Sequence, residues 1–130
     1  NHELRKKYLG IDWGEVRIGL ALGDSETKIA TPFKTVGSVD DVARVVESER
    51  VDAVIIGKPY QVSSIKYQVS NKFNNFLNDL KSKISAPIEL VDERLSSKAA
   101  DALVGTKKTK AGRDEIASML TLQSYLDKNV

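Results

Sequence analysis

The chain has 130 residues and a mass of 14.3 kDa, which fits one domain over residues 1–130 and leaves no room for two of full size. Hydrophobic residues at 41%, charged residues at 29% and the lack of cysteine exclude a disordered chain and a disulfide scaffold. No apolar run approaches the roughly 18 residues of a spanning helix. The start of the chain lacks the apolar segment of a signal peptide, so a cytoplasmic protein that does not engage a membrane is expected, with residues 1–6 as a flexible tail.

Leu9, Ile11 and Trp13 alternate with Tyr8, Gly10 and Asp12, a period of two that predicts a strand over residues 8–13. Ile18, Leu20 and Leu22 alternate with Gly19, Ala21 and Gly23 over residues 17–23, and the short Gly14-Glu15 link favours an antiparallel hairpin. A third strand is expected over residues 29–36, where Pro32 restricts it to an edge or a bulge. From Ser38, a plausible N-cap, Val39, Val42, Val45 and Val46 recur at helical spacing and predict a helix over 39–49. Residues 51–56 read as a buried strand, 60–65 as a loop, and 66–83 as a helix whose Val69, Phe73, Phe76, Leu77 and Leu80 share one face. A fifth strand over 87–91, a short helix from Ser96 or Ser97 to about Val104, and a last helix over 113–126 complete the order. Three antiparallel strands followed by two helix-separated parallel strands make an α/β fold with a mixed five-stranded sheet, not a doubly wound one.

Asp12 lies in the middle of a strand-turn, and a carboxylate there is costly to desolvate unless paired or holding a cation. Gly10, Gly19 and Ala21 leave space on one sheet face, which would let a cation and a substrate backbone approach Asp12; the alternative is an Asp that only begins a turn. Asp92-Glu93-Arg94 stand where the fifth strand stops, a usual place for binding groups, and adjacent strand residues point to opposite faces, so Asp92 and Glu93 do not share one role. Asp114 opens the last helix, where capping is its default role. Ala117, Ser118 and Thr121 on its face are small enough to bring that helix, and Asp114, close to the sheet beside Asp12. Three carboxylates from separate elements suit Mg²⁺ or Mn²⁺, because hard cations prefer oxygen ligands. One or two such ions serve phosphodiester hydrolysis.

The net charge of +2 is too small to make the whole surface attract polyanions. Residues 105–113 carry Lys107, Lys108, Lys110 and Arg113 with no acid, which reads either as a nucleic-acid contact or as a solvated loop. Other chemistries are poorly supplied: there is no Cys nucleophile, the single His is His2, and no phosphate-loop motif occurs.

Four segments, GIDWGEVRIGLA (10–21), VIIGKP (54–59), DERLS (92–96) and DEIASMLTLQSYL (114–126), occur in order over nearly the whole chain. Together they resemble the YqgF (RuvX) family of Holliday-junction-resolvase-like nucleases. The resemblance implies a ribonuclease H-like fold, with Asp12, Glu93 and Asp114 as the acidic metal-binding and catalytic set and Arg17 and Arg94 at basic motif positions. It implies a metal-dependent hydrolase acting on structured nucleic acid, in 5′-end processing of pre-16S ribosomal RNA and so in ribosome biogenesis, or on branched DNA as a junction resolvase. Departures lie at residues 58–63, KPYQVS, which lack the family's Asn and Gly, in a compact 103–114 segment, and at Ser118 in place of Ala. Arg17, Lys58 and Arg94 join Lys107, Lys108, Lys110 and Arg113 as candidate nucleic-acid contacts. A monomer and a homodimer are both compatible with the sequence. Two rivals are the phosphate-binding hairpin of actin-like ATPases and sugar kinases, which 130 residues are too short to duplicate, and a nucleic-acid-binding module that does not cleave.

Overall fold

The computed structural model describes residues 5–14, 16–58, 66–92 and 113–129. In chain order they form β1 (Lys7–Asp12), β2 (Ile18–Asp24), β3 (Ala30–Val36), α1 (Val39–Ser48), β4 (Ala53–Lys58), α2 (Lys66–Lys83), β5 (Ile88–Asp92) and α3 (Arg113–Asn129). The short helix expected between Ser96 and Val104 and the loop at 60–65 lie outside the described residues.

The five strands lie in the order β3-β2-β1-β4-β5, with β1–β2 and β2–β3 antiparallel and β1–β4 and β4–β5 parallel, as the sequence predicts. Pro32 sits on the edge strand β3, the position in a sheet where a proline is tolerated, and the register shifts across β2 and β3 between Leu20 and Ala21. The fourth strand begins two residues later than the apolar run suggests. Val51 still donates its amide to the Val46 carbonyl of α1 at 3.0 Å, and Arg50 before it takes a positive φ of 55° to turn the chain.

Period-two alternation divides the sheet into two unlike faces. Leu9, Ile11, Ile18, Leu20, Val54 and Ile56 pack against Val42, Val45 and Val46 of α1 and Phe73, Phe76, Leu77 and Leu80 of α2. Each such side chain, removed from water, contributes about 1.5–3 kcal/mol. Ser38 caps α1, its hydroxyl accepting the Asp41 amide at 3.2 Å.

The other face carries Tyr8, Gly10, Ala21 and Ile55 and, among the described residues, takes α3, through Leu122 and Leu126. Here the small residues do not leave the open space that the sequence suggests, because α3 fills it. A Cβ on Gly10 would lie 2.7 Å from the Leu122 Cβ and 2.8 Å from the Ser118 carbonyl oxygen. Gln123 fastens the same helix to the start of β3, its Oε1 accepting the Ala30 amide and its Nε2 donating to the Lys28 carbonyl, both at 2.8 Å. At the start of the described chain the Lys6 amide donates to the Ser25 hydroxyl at 2.9 Å, and Arg5 lies 3.8 Å from the Asp24 carboxylate.

A candidate metal-binding carboxylate site

The C-terminal ends of the parallel strands β1, β4 and β5 share one edge of the sheet, and the functional candidates lie there. Asp12 ends β1 and pairs with Gly19 of β2 on one side and Gly57 of β4 on the other, so neither neighbour in its row has a side chain. The carboxylate is half-buried between two glycines.

Asp114 reaches the same row from the opposite layer. A Cβ on Gly19 would collide with the Asp114 carbonyl and come within 2.8 Å of the Asp114 Cβ, so the first turn of α3 rests directly on the residue paired with Asp12. The buried Ala117, Ser118 and Thr121 make this approach possible. Ser118 loses nothing by its burial, since its hydroxyl donates to the Glu115 carbonyl at 2.9 Å. Glu115 accepts the Thr35 hydroxyl at 3.0 Å and anchors the helix start to β3.

Arg17 follows the hairpin tip and places its Nε 3.3 Å from Asp114 Oδ2, with 72% of the Arg17 side chain and 30% of the Asp114 side chain exposed. An ion pair this open to water adds little stability. It does set a positive charge beside Asp114 and leaves most of the Arg17 side chain facing solvent.

Lys58 and Asp92 pair in register at the ends of β4 and β5. The row through Asp12 continues through Gly57 to Val91, which places Asp92 one residue out of step with it. Glu93, Arg94, Lys107, Lys108 and Lys110 lie outside the described residues, and Arg113 opens α3 immediately before Asp114. Among the described residues no three His, Cys, Asp or Glu side chains gather around a common point. The described portion of the acidic set is the pair Asp12 and Asp114, whose oxygen-only chemistry fits a hard divalent cation.

Sequence reasoning did not anticipate Gln123 and Glu115 as the residues that seat α3 on β3, since 93 and 80 positions separate them from Ala30 and Thr35. It also did not anticipate a pocket beside Trp13 on the other face of this sheet edge.

The strand order, a helix packed on the small-residue face and an acid at the end of the central strand define the ribonuclease H-like resolvase fold. Two solved structures share it. Thermus thermophilus RuvC in complex with a Holliday junction substrate superposes with a TM-score of 0.60 at 17% identity, covering 95% of this chain and 96% of that one. Thermus thermophilus RuvC in a second structure gives 0.60 at 18%, over 93% and 95%. The family model described as RuvX, Holliday junction resolvase, matches residues 6–128, and the chain belongs to that family. A relative from Chloroflexus aurantiacus is 34% identical, covering 92% of this chain and 85% of its own length. One from Natranaerobius thermophilus is 32% identical over 95% and 96%. Both carry the name "Putative pre-16S rRNA nuclease".

Proposed function

We propose that this chain is a divalent-metal-dependent nuclease that hydrolyses phosphodiester bonds in structured nucleic acid, with 5′-end processing of pre-16S ribosomal RNA in the cytoplasm as its task. The observation that carries this reading is the seating of Asp114 on Gly19, the residue paired with Asp12, at the strand-end edge of a RuvC-like sheet. Glu93 completes the set. It has the sequence parity of Val91, which lies in the Asp12 row, whereas Asp92 does not. The names of the relatives support RNA as the substrate.

In this reading Asp12, Glu93 and Asp114 supply carboxylate oxygens to the cation. When bound, Mg²⁺ or Mn²⁺ neutralises phosphate charge and lowers the pKa of the attacking water. Arg17 offsets the charge of Asp114 and presents its exposed guanidinium to the phosphate backbone. Lys58, Arg94, Lys107, Lys108, Lys110 and Arg113 hold the substrate through phosphates, which position a nucleic acid without reading its sequence.

A second reading, cleavage of four-way DNA junctions, is favoured by the family description and by the likeness to RuvC. Purified protein incubated with labelled RNA bearing a 5′ extension and with four-way DNA junctions, in Mg²⁺, Mn²⁺ or EDTA, separates the two. RNA cleavage that is lost in EDTA and in Asp12→Asn is the expected result. Cleavage of junctions alone selects the second reading. Binding without cleavage under every condition overturns both and leaves a non-cleaving module.

A further inference from the structure

We infer that the pocket beside Trp13 receives one unpaired base of the nucleic acid whose phosphate is held at Asp12, an inference that rests on the nuclease reading above. The pocket has a volume of about 390 Å³, within the range of about 300–1,000 Å³ usual for small-molecule sites, and its walls include Trp13, Gly37, Lys72, Asn75 and Asp79. Its place in the fold ties it to the candidate site. Trp13 follows Asp12 directly, and consecutive Cα atoms are about 3.8 Å apart.

Strand alternation sends the two side chains to opposite faces of the same edge. Trp13 packs on the α1–α2 side, its ring 5.5 Å from Phe73 edge-on and 6.3 Å from Phe76, while Asp12 belongs to the α3 side. A single strand crossing this edge would meet carboxylates and an aromatic ring one residue apart.

The wall chemistry matches a base more closely than a lipid or a peptide. The half-buried indole offers a stacking surface held in place by two phenylalanines, and base–aromatic stacking is indifferent to base identity. Asn75 and Asp79 are exposed on α2 and carry the amide and carboxylate that pair with base edges, and Lys72, also exposed, supplies a cation for a flanking phosphate. A paired base has its edge occupied by its partner and its faces by its neighbours. The pocket therefore selects unpaired nucleotides.

Trp13 is the chain's one tryptophan, so fluorescence excited at wavelengths that the four tyrosines do not absorb reports on this pocket. The full chain, held in EDTA to prevent turnover, is titrated with ten-residue oligoadenylate, with ten-residue oligouridylate, with a fully paired RNA duplex and with adenosine monophosphate. Saturable quenching by the two single strands and none by the duplex is expected. Gly37→Leu supplies a plug, because Gly37 lines the pocket and a Cβ there meets nothing within 4 Å. It should keep the melting temperature and the duplex affinity, abolish the quenching, and weaken single-strand binding about ten-fold, within the range for one stacked base. Asn75→Ala should weaken single-strand binding by a smaller factor.

Unchanged quenching and single-strand affinity in Gly37→Leu would overturn the inference, as would adenosine monophosphate binding as tightly as the oligomers, which would make the pocket a free-nucleotide site. The nuclease reading fails separately. Quenching that is sensitive to the plug, in a protein that cleaves nothing, keeps the pocket and removes the nuclease; cleavage without quenching does the reverse.

Discussion

Gly19 and Asp114 are in direct contact through the backbone: a Cβ on Gly19 would run into the Asp114 carbonyl and approach its Cβ to 2.8 Å. Because Gly19 pairs with Asp12, this contact decides how far the first turn of α3 stands from the end of β1. Gly10 plays the same part further along, against Leu122 and Ser118.

Gly19→Ala and Gly10→Ala should each destabilise the fold by about 1–3 kcal/mol, the usual cost of overpacking against groups that cannot move aside. Gly37→Ala, with nothing within 4 Å of the added carbon, should stay within about 0.5 kcal/mol of the parent. Thermal or urea melts of the three variants check this. Equal midpoints for Gly19→Ala and Gly37→Ala would contradict the close approach of α3.

A cation that binds the folded protein and not the unfolded chain stabilises the fold, whatever part of the Asp114 charge Arg17 already offsets. A divalent cation should therefore raise the melting temperature, with about 2.7 kcal/mol of stabilisation at one hundred times the dissociation constant. Asp12→Asn should remove that response and any cleavage while leaving the far-ultraviolet circular dichroism unchanged. Melts showing the same cation response in both proteins would remove Asp12 from the ligand set.

Thr121 is fully buried on α3, and its hydroxyl oxygen has no hydrogen-bond partner among the described residues, unlike the neighbouring Ser118 hydroxyl. A buried, unsatisfied hydroxyl costs about 1–3 kcal/mol. Thr121→Val, of nearly the same shape, should raise the urea midpoint. A lower midpoint would mean that the hydroxyl is satisfied in solution.

Burial, followed by its hydrogen bond to Glu89 and the negative charge there, pushes the Tyr125 hydroxyl up to about 12 from 10.0. Above pH 10 the unfolded chain releases this proton while the folded protein retains it. The contribution to stability is thus complete below pH 10 and is lost as pH rises from 10 to about 12. Denaturant melts should show Tyr125→Phe losing less stability than the parent across that window. Parallel curves would place Tyr125 in water.

Replacing Lys107, Lys108 and Lys110 together by neutral residues should weaken nucleic-acid binding similarly for all sequences. It should also flatten the dependence of log affinity on log salt by about 0.7–0.9 for each phosphate that is no longer neutralised. Turnover of the saturated complex should change far less than in Asp12→Asn. Normal binding at every salt concentration would leave the segment a solvated connector and route the substrate over Arg17, Lys58 and Arg94.

The strands and helices were legible in the sequence because the signals that make them are local. The alternation of Leu9, Ile11 and Trp13, the helical spacing of Val42, Val45 and Val46 and the cap at Ser38 each lie within one turn or one pleat of the residues they order. The parity of the glycines and small residues even showed which face of β1 and β2 would be the close one. What occupied that face was beyond local signals. Room at Gly10 and Gly19 suits a cation or a helix equally, and only the packing of α3, held to β3 by Gln123 and Glu115, fills it with protein and leaves Asp12 and Asp114 at its end. The same holds for the pocket at Trp13, which joins the residues that follow β1 and β3, the first residues of β2 and α1, and one face of α2. Residue type and spacing determined which side chains were able to bind metal and phosphate. The tertiary structure decided which of them meet, because bringing together positions some 100 residues apart depends on how whole faces fit.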